Sequence, residues 1–149
     1  MAGGSYVLNE IASAVLAAQL QIRPMLIDAR LSIWNKYHAA MEPLEMSGKL
    51  RRPVIPDDCS HNGHIYYVRI ISPEHFDQVA ALSKHRKIGV FTHYEPLHSS
   101  TGGELFSIIA DECNETTKCA QQLYRLPMWV GLTDEMIARS VECIKDALA

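Results

Sequence analysis

Positive charge and long apolar stretches are both scarce in this sequence. Its 14 lysines and arginines are outnumbered by 17 aspartates and glutamates, so the formal net charge is −3. A protein that holds a phosphate backbone needs a cationic excess, and we therefore expect no nucleic-acid partner. The longest stretch without charge, residues 11–22, is about half the length of a membrane span, so we expect no membrane insertion either.

Cysteine is also sparse. The four cysteines, Cys59, Cys113, Cys119 and Cys143, are too few for a disulfide scaffold, and the opening residues MAGGS do not resemble a secretion signal. We therefore expect a cytoplasmic protein with reduced thiols. The composition, 48% hydrophobic and 21% charged, is that of a globular chain, and 149 residues suffice for one domain with a substantial core.

Helical periodicity dominates the first third of the chain. Apolar residues recur every three to four positions, which predicts a helix over residues 8–22 and a second over 25–42. Pro24 should kink or divide this pair, because proline lacks an N–H and clashes with the preceding turn. Asn9 or Ser5 is the candidate cap of the first helix.

The middle of the chain alternates between strand and helix signals. β-Branched and aromatic residues predict strands over 64–72 and 88–94, and a helix over 73–86 lies between them with Ser72 as its cap. Loops are predicted on either side of this region, over residues 49–63 and 95–103.

Two more helices are predicted near the C-terminus. One covers residues 114–124 with Thr116 or Asn114 as its cap, and the other follows the cap Thr133. Residues 125–132 should be extended around a proline, and residues 105–111 could form a strand or a helix. The whole order predicts an α+β fold with helices on one face of a short sheet.

Two groups of potential metal or redox ligands do not have the spacing that such sites need. Cys59, His61 and His64 match no standard zinc pattern, so we interpret them as a polar loop that leads into a strand. Cys113 and Cys119 are too far apart for a C-x-x-C redox pair and are interpreted as ordinary half-buried cysteines. We expect no metal site.

The segment HYEPLH contains the most suggestive local chemistry. It places His93, Tyr94 and His98 where a predicted strand gives way to a loop, and strand ends of this kind often carry ligand contacts. These groups could hydrogen-bond a hydroxylated ligand or transfer a proton, or they could be satisfied by the local backbone. Ser5 and Tyr6 follow two glycines and could expose backbone N–H groups to an anion, although a plain helix cap is the alternative. No complete catalytic set is present, since G-x-S-x-G, P-loop and H-E-x-x-H motifs are absent.

Three segments in a fixed order resemble a known family. They are GSYVLNEIA at residues 4–12, FTHYEPLH at residues 91–98 and RLPMWVGLTDE at residues 125–135, of which the last is the most specific. Together they resemble the C-terminal part of the DegT/DnrJ/EryC1/StrS family of pyridoxal-phosphate-dependent sugar aminotransferases. The strand segment NGHIYY at residues 62–67 is also similar to that family.

The resemblance implies the fold of the small C-terminal domain of a fold-type I aminotransferase. That domain has a short, mostly antiparallel sheet covered by helices, with a long N-terminal helix or a kinked helix pair, and it would occupy residues 1–149. The family transfers an amino group, usually from glutamate, to a keto-sugar attached to a nucleotide. Pyridoxal phosphate is the cofactor and is held by a lysine of a large N-terminal domain, which nothing in this chain matches.

The resemblance also implies partners. Family members are homodimers that bind a nucleotide-sugar substrate, and this chain would need the missing large domain or a separate chain that carries it. We expect the chain to be inactive alone, as the C-terminal part of an enzyme that aminates a 4-keto-6-deoxy sugar nucleotide. The alternative is a non-catalytic remnant that acts as a binding or interaction module.

The family's functional residues map onto few positions here. Ser5 and Tyr6 match a loop that reaches the cofactor phosphate of the neighbouring subunit, although Ser5 stands where asparagine is common and Val7 where arginine is common. His93 and Tyr94 match a segment that approaches the substrate, and His98 lies close to it. No catalytic residue is assigned, because none of the five lysines falls on the catalytic-lysine motif; they are Lys36, Lys49, Lys84, Lys87 and Lys118.

Overall fold

A computed structural model of the chain describes residues 6–109 and 111–149. Within them, helices and short strands alternate along the sequence. In chain order they are α1 (Glu10–Gln21), α2 (Arg23–Met46), β1 (Leu50–Arg51), β2 (Tyr66–Ile70), α3 (Pro73–His85), β3 (Phe91–Thr92), a 3-10 turn (Leu97–Ser99), α4 (Thr101–Phe106), α5 (Asn114–Ala120), β4 (Leu123–Leu126) and α6 (Asp134–Ala147).

The four strands form one sheet in the order β1-β2-β4-β3, and every neighbouring pair is antiparallel. Successive side chains of a strand point to opposite faces, and this alternation gives the sheet two different sides. On β2 the residues Tyr66, Val68 and Ile70 are buried, whereas Tyr67 and Arg69 between them are half-buried. The predicted antiparallel sheet is therefore confirmed.

Helices α2, α3 and α6 cover the buried side of the sheet and supply the rest of the core. Tyr37 and Met41 of α2, Val79 of α3, and Ile144 of α6 are fully buried there. The rings of Tyr37 and Tyr66 stack at 5.3 Å between centroids, which joins α2 to β2. The prediction that helices cover one face of the sheet is confirmed.

The N-terminal helix pair is divided at Ile22, two residues before Pro24. Asn9 caps α1 by accepting a hydrogen bond from the backbone N–H of Ala12 at 2.8 Å, as predicted, whereas the alternative cap Ser5 lies outside the described residues. The predicted end of the second helix at residue 42 is wrong, because α2 continues to Met46 with Pro43 in its last turn. The helix ends where Gly48 adopts a positive φ of 77°, a conformation that glycine accepts without strain.

The predicted caps of α3 and α6 are confirmed, whereas that of α5 is wrong. Ser72 and Thr133 each accept a hydrogen bond from a backbone N–H three residues later. Neither Asn114 nor Thr116 caps α5; the helix follows Cys113, whose φ is +48°. The Asp111 carboxylate accepts a hydrogen bond from the Cys113 backbone N–H at 2.8 Å, and this local turn replaces the expected cap.

Several boundaries between residues 49 and 126 differ from the predictions. The strand predicted over 88–94 is reduced to β3, and the helix predicted over 114–124 ends at Ala120, after which β4 begins. The loop predicted over 49–63 contains the short strand β1. The loop predicted over 95–103 contains the 3-10 turn and the start of α4, which also takes in Leu105 and Phe106 of the ambiguous segment.

Candidate functional site

A cleft of about 470 Å³ opens where the chain leaves β3, a volume within the usual range of small-molecule sites. One wall is the segment His93–Pro96 and the other is α5. The α5 residues that line the cleft are Glu115, Thr116, Cys119 and Ala120. Leu123 at the start of β4 completes it, so the cleft lies between β3, α5 and β4.

Two of the predicted site residues meet at this cleft. The rings of His93 and Tyr94 lie 4.9 Å apart between centroids. The guanidinium carbon of Arg125 lies 5.3 Å from the centroid of the Tyr94 ring, within the range of a cation–π contact. Because Tyr94 is 76% exposed, its hydroxyl can contact a ligand while its ring rests against Arg125.

His98 occupies a different position from its two predicted companions. Its Nε2 atom lies 2.9 Å from the Thr117 hydroxyl oxygen, and the residue does not line the cleft. This hydrogen bond connects the 3-10 turn, which follows the His93–Pro96 wall in sequence, to α5, which forms the other wall. A substrate contact by His98 stays a prediction.

Of the two predicted cofactor-phosphate residues, the structure describes only Tyr6. Ser5 is outside the described residues, and Tyr6 is 94% exposed ahead of α1. An exposed side chain of this kind is available to a second molecule, which is what the resemblance requires of it. Its role stays a prediction.

Sequence reasoning missed the α5 wall. Glu115 and Cys119, and likewise Thr116 and Ala120, are four residues apart, so each pair lies on the same side of the helix. That spacing was readable from the sequence, but the side that faces the cleft is set by how α5 packs. Arg125 was also missed, because its contact with Tyr94 depends on the pairing of β3 with β4.

The polar loop at residues 59–64 serves the packing of α2. The His61 ring lies 4.5 Å from the Trp34 ring, and its Nδ1 accepts a hydrogen bond from the backbone N–H of Gly63. The described residues contain no group of three His, Cys, Asp or Glu side chains placed to hold a metal ion. All four cysteines are free of disulfides; Cys113 and Cys119 are half-buried, as expected.

No helix in residues 6–109 and 111–149 is both long and apolar enough to cross a membrane. None of the five lysines lines the cleft. Lys36 pairs with Asp134, and Lys49 donates a hydrogen bond to the Leu148 carbonyl oxygen, whereas Lys84, Lys87 and Lys118 are exposed elsewhere.

The family model for DegT/DnrJ/EryC1/StrS aminotransferases matches residues 1–145. The chain belongs to this family. Solved aminotransferase structures contain a segment with the same fold, which confirms the predicted α+β fold. One of them, DesV of S. venezuelae in complex with a ketimine intermediate, superposes with a TM-score of 0.80 at 22% sequence identity, over 95% of this chain and 37% of that protein.

Other relatives agree with this placement. A dTDP-3-amino-3,4,6-trideoxy-α-D-glucose transaminase of Micromonospora megalomicea subsp. nigra is 22% identical over 143 residues, which are 95% of this chain and 37% of the relative. NtdA of Bacillus subtilis, solved with the bound cofactor PMP, has a TM-score of 0.69 at 16% identity and covers 83% of this chain and 28% of that protein. The chain thus spans about a third of the length of these family members.

Proposed function

We propose that residues 1–149 are the C-terminal domain of a pyridoxal-phosphate-dependent nucleotide-sugar aminotransferase. The reaction is the transfer of an amino group from glutamate to a 4-keto-6-deoxy sugar nucleotide. The observation that carries this proposal is the family match over residues 1–145, combined with a coverage of only 37% of the relatives' length. The chain alone is inactive, since its cleft contains no lysine for the cofactor.

In this proposal the domain supplies one wall of a shared substrate site. His93 and Tyr94 contact the sugar, because a ring nitrogen and a phenol hydroxyl can donate to or accept from sugar hydroxyls. Pyridoxal phosphate acts as the electron sink when bound. It is held by the lysine of a large domain, which is either another region of the same protein or a separate chain. Ser5 and Tyr6 reach the cofactor phosphate across a homodimer interface.

The substrate subgroup and the compartment are also proposals. The GSY opening and the HYEPLH segment resemble dTDP-4-amino-4,6-dideoxygalactose transaminases, and dTDP also occurs in the name of the relative from M. megalomicea. Four cysteines without disulfides are compatible with the reducing cytoplasm, where we place the enzyme.

Co-expression tests the proposal. The transcript that carries this reading frame is sequenced, and any frame in it that encodes a lysine domain is co-expressed with this chain. We expect the two parts to co-purify and to aminate a dTDP-4-keto-6-deoxy sugar with glutamate as donor, whereas this chain alone does neither. Amino transfer by the chain alone, or an inert complex of both parts, would contradict the proposal.

The second candidate is a non-catalytic binding module, which the absence of a lysine from the cleft favours. It predicts that the chain binds a dTDP-sugar without pyridoxal phosphate and without any other chain. Titration calorimetry distinguishes the two candidates, because a C-terminal domain that supplies only one wall of the site binds the sugar nucleotide tightly only in the complex.

A further inference from the structure

Three arginines share the side of the sheet that faces away from α2, α3 and α6. Arg51 of β1 lies directly opposite Arg69 of β2 in the antiparallel register, so both side chains point to the same face. Their strand neighbours Leu50 and Ile70 are opposite each other on the buried face. Arg51 and Arg69 therefore stand side by side, with about 5 Å between their Cα atoms.

The third arginine lies one strand further along the same face. Leu123 of β4 is paired with Arg69, and Arg125 follows it two residues later. Arg125 is thus a diagonal neighbour of Arg69, within reach of a long side chain. Arg125 is also opposite Tyr67 on one side and Phe91 on the other, so the cationic groups are flanked by aromatic rings.

This group of three residues, which we call the arginine face, is not neutralised by carboxylates within the described residues. The ion pairs found there involve Lys36, Arg52 and Arg86 and none of the three. An Nη atom of Arg69 donates to the neutral side chain of Gln122 at 2.8 Å. The Nε atoms of Arg69 and Arg125 are buried and make no hydrogen bond to the described residues.

Arg52, next to Arg51, is an arginine whose guanidinium group is fully engaged with partners inside the fold. Its guanidinium contacts Glu45 at 2.7 Å and Glu42 at 3.1 Å, and it also donates to the His38 carbonyl oxygen at 2.7 Å. The backbone N–H of Arg52, and then its side chain, hold the pKa of Glu45 below the ordinary value. Within residues 6–109 and 111–149, no comparable partners surround Arg51, Arg69 and Arg125.

Like charges directly opposite each other in a sheet are destabilising, and buried donors without partners cost further free energy. A chain with a net charge of −3 has enough carboxylates to avoid this arrangement. An anion that binds across the arginine face would remove the repulsion between the like charges. Arginine suits phosphate, because its planar guanidinium group can donate hydrogen bonds to two phosphate oxygens at once.

We propose that Arg51, Arg69 and Arg125 form an anion site on the open side of the sheet that binds the diphosphate of a nucleotide-linked substrate. The site adjoins the candidate cleft, since Tyr94 contacts Arg125 and Leu123 is the strand partner of Arg69. A sugar in the cleft therefore has its diphosphate within reach of the arginines. The nucleotide-sugar class of this ligand rests on the proposed function, whereas the anion site itself rests on the arrangement of the arginines.

Calorimetric titration of the full chain with inorganic pyrophosphate at low ionic strength tests the site. Arg51→Gln changes an exposed residue and should leave the fold intact, so its effect reports on binding. We expect Arg51→Gln and Arg125→Gln each to weaken pyrophosphate binding by about tenfold, the loss expected for one hydrogen bond to a charged group. Arg125→Lys keeps the positive charge but lacks the planar pair of donors, so it should bind pyrophosphate more tightly than Arg125→Gln and more weakly than the unmodified chain.

The matched control is Arg139→Gln, which removes the same charge from an exposed position on α6. Absence of pyrophosphate binding by the unmodified chain, or an equal loss in Arg139→Gln, would overturn the anion site. Because pyrophosphate is not an amino acceptor, this result is independent of the co-expression assay. Binding through the arginines without amino transfer by the complex would remove only the proposed function.

Discussion

The Nε2 atom of His98 and the hydroxyl of Thr117 lie 2.9 Å apart, although 19 positions separate the two residues in sequence. This contact connects the 3-10 turn, which follows the His93–Pro96 wall of the candidate cleft, to α5, which forms the other wall. The shape of the cleft therefore depends on a hydrogen bond between residues that do not line it.

Removal of this contact should loosen the cleft without changing its lining. We expect His98→Ala and Thr117→Val each to lower the free energy of unfolding by about 1 kcal/mol. The double variant should be only slightly less stable than either single variant, because both substitutions remove the same hydrogen bond. Urea denaturation of the single and double variants measures the coupling. Thr116→Val, at the exposed position next to Thr117, is the control, and fully additive losses at His98 and Thr117 would contradict the contact.

Gly103 is expected to be intolerant of any side chain. A Cβ atom at this position would overlap the carbonyl oxygen of Leu97, whereas a Cβ at Gly102 meets nothing within 4 Å. Gly103→Ala should therefore destabilise α4 and the 3-10 turn by about 2 kcal/mol, while Gly102→Ala should stabilise α4 by about 0.5–1 kcal/mol. Hydrogen exchange over residues 97–106 measures both effects. Equal protection in the two variants would contradict the close approach of Gly103 to the Leu97 carbonyl oxygen.

His38 should make the stability of the fold depend on pH. Burial, and then the positive charge of Arg52, lower the pKa of His38 below its ordinary value of 6.5. The unfolded chain then binds more protons than the folded chain once the pH falls below about 6.5. Stability contributed by neutral His38 is thus fully present at higher pH and is lost as the pH falls towards the pKa of the folded state.

His38→Phe isolates this effect, since a phenyl ring can keep the stacking on Trp34, whose ring lies 4.6 Å from that of His38. Urea denaturation between about pH 5 and about pH 7.5 should show a shallower pH dependence in the variant than in the unmodified chain. Parallel pH curves for the two proteins would show that His38 does not titrate in this way.

Helix α1 should cause the isolated chain to self-associate. None of its residues is buried, and its apolar side chains are exposed on more than one side; they include Ile11, Val15, Leu16 and Leu20. A helix that is apolar around its circumference is typical of an enclosed position in a larger protein. We expect elution volumes on sizing chromatography to depend on concentration, and Leu20→Lys to reduce this dependence.

Gln21→Lys is the matched control for this experiment, because it adds the same charge at the adjacent exposed position but removes no apolar surface. A monomer at all concentrations, or an equal response to the two substitutions, would contradict the inference that the apolar residues of α1 are covered in a larger protein.

The helix caps and the helix break that sequence analysis predicted correctly are features determined within a few residues. Asn9, Ser72 and Thr133 cap their helices because a short polar side chain needs only a backbone N–H three positions ahead. The break before Pro24 is equally local. Cys113 could not be predicted as the start of α5, because that turn depends on the Asp111 carboxylate rather than on a standard cap.

Features that depend on pairing between distant segments were missed. β1 has only two residues, and it is a strand only because Leu50 and Arg51 pair with Ile70 and Arg69. In the candidate site, His93 and Tyr94 were predicted from one continuous segment. The contributions of α5 and Arg125 come from packing and strand register, which a single sequence does not contain.

The opposite environments of Arg51 and Arg52 also fix how β1 can pair with β2. Arg52, the residue after β1, contacts Glu42 and Glu45 on α2, whereas Arg51 points to the other side of the sheet. A slip of one residue in the pairing of β1 with β2 would exchange these two directions and separate Arg52 from both carboxylates. The ion pairs of Arg52 therefore select one register for a strand that has only two residues.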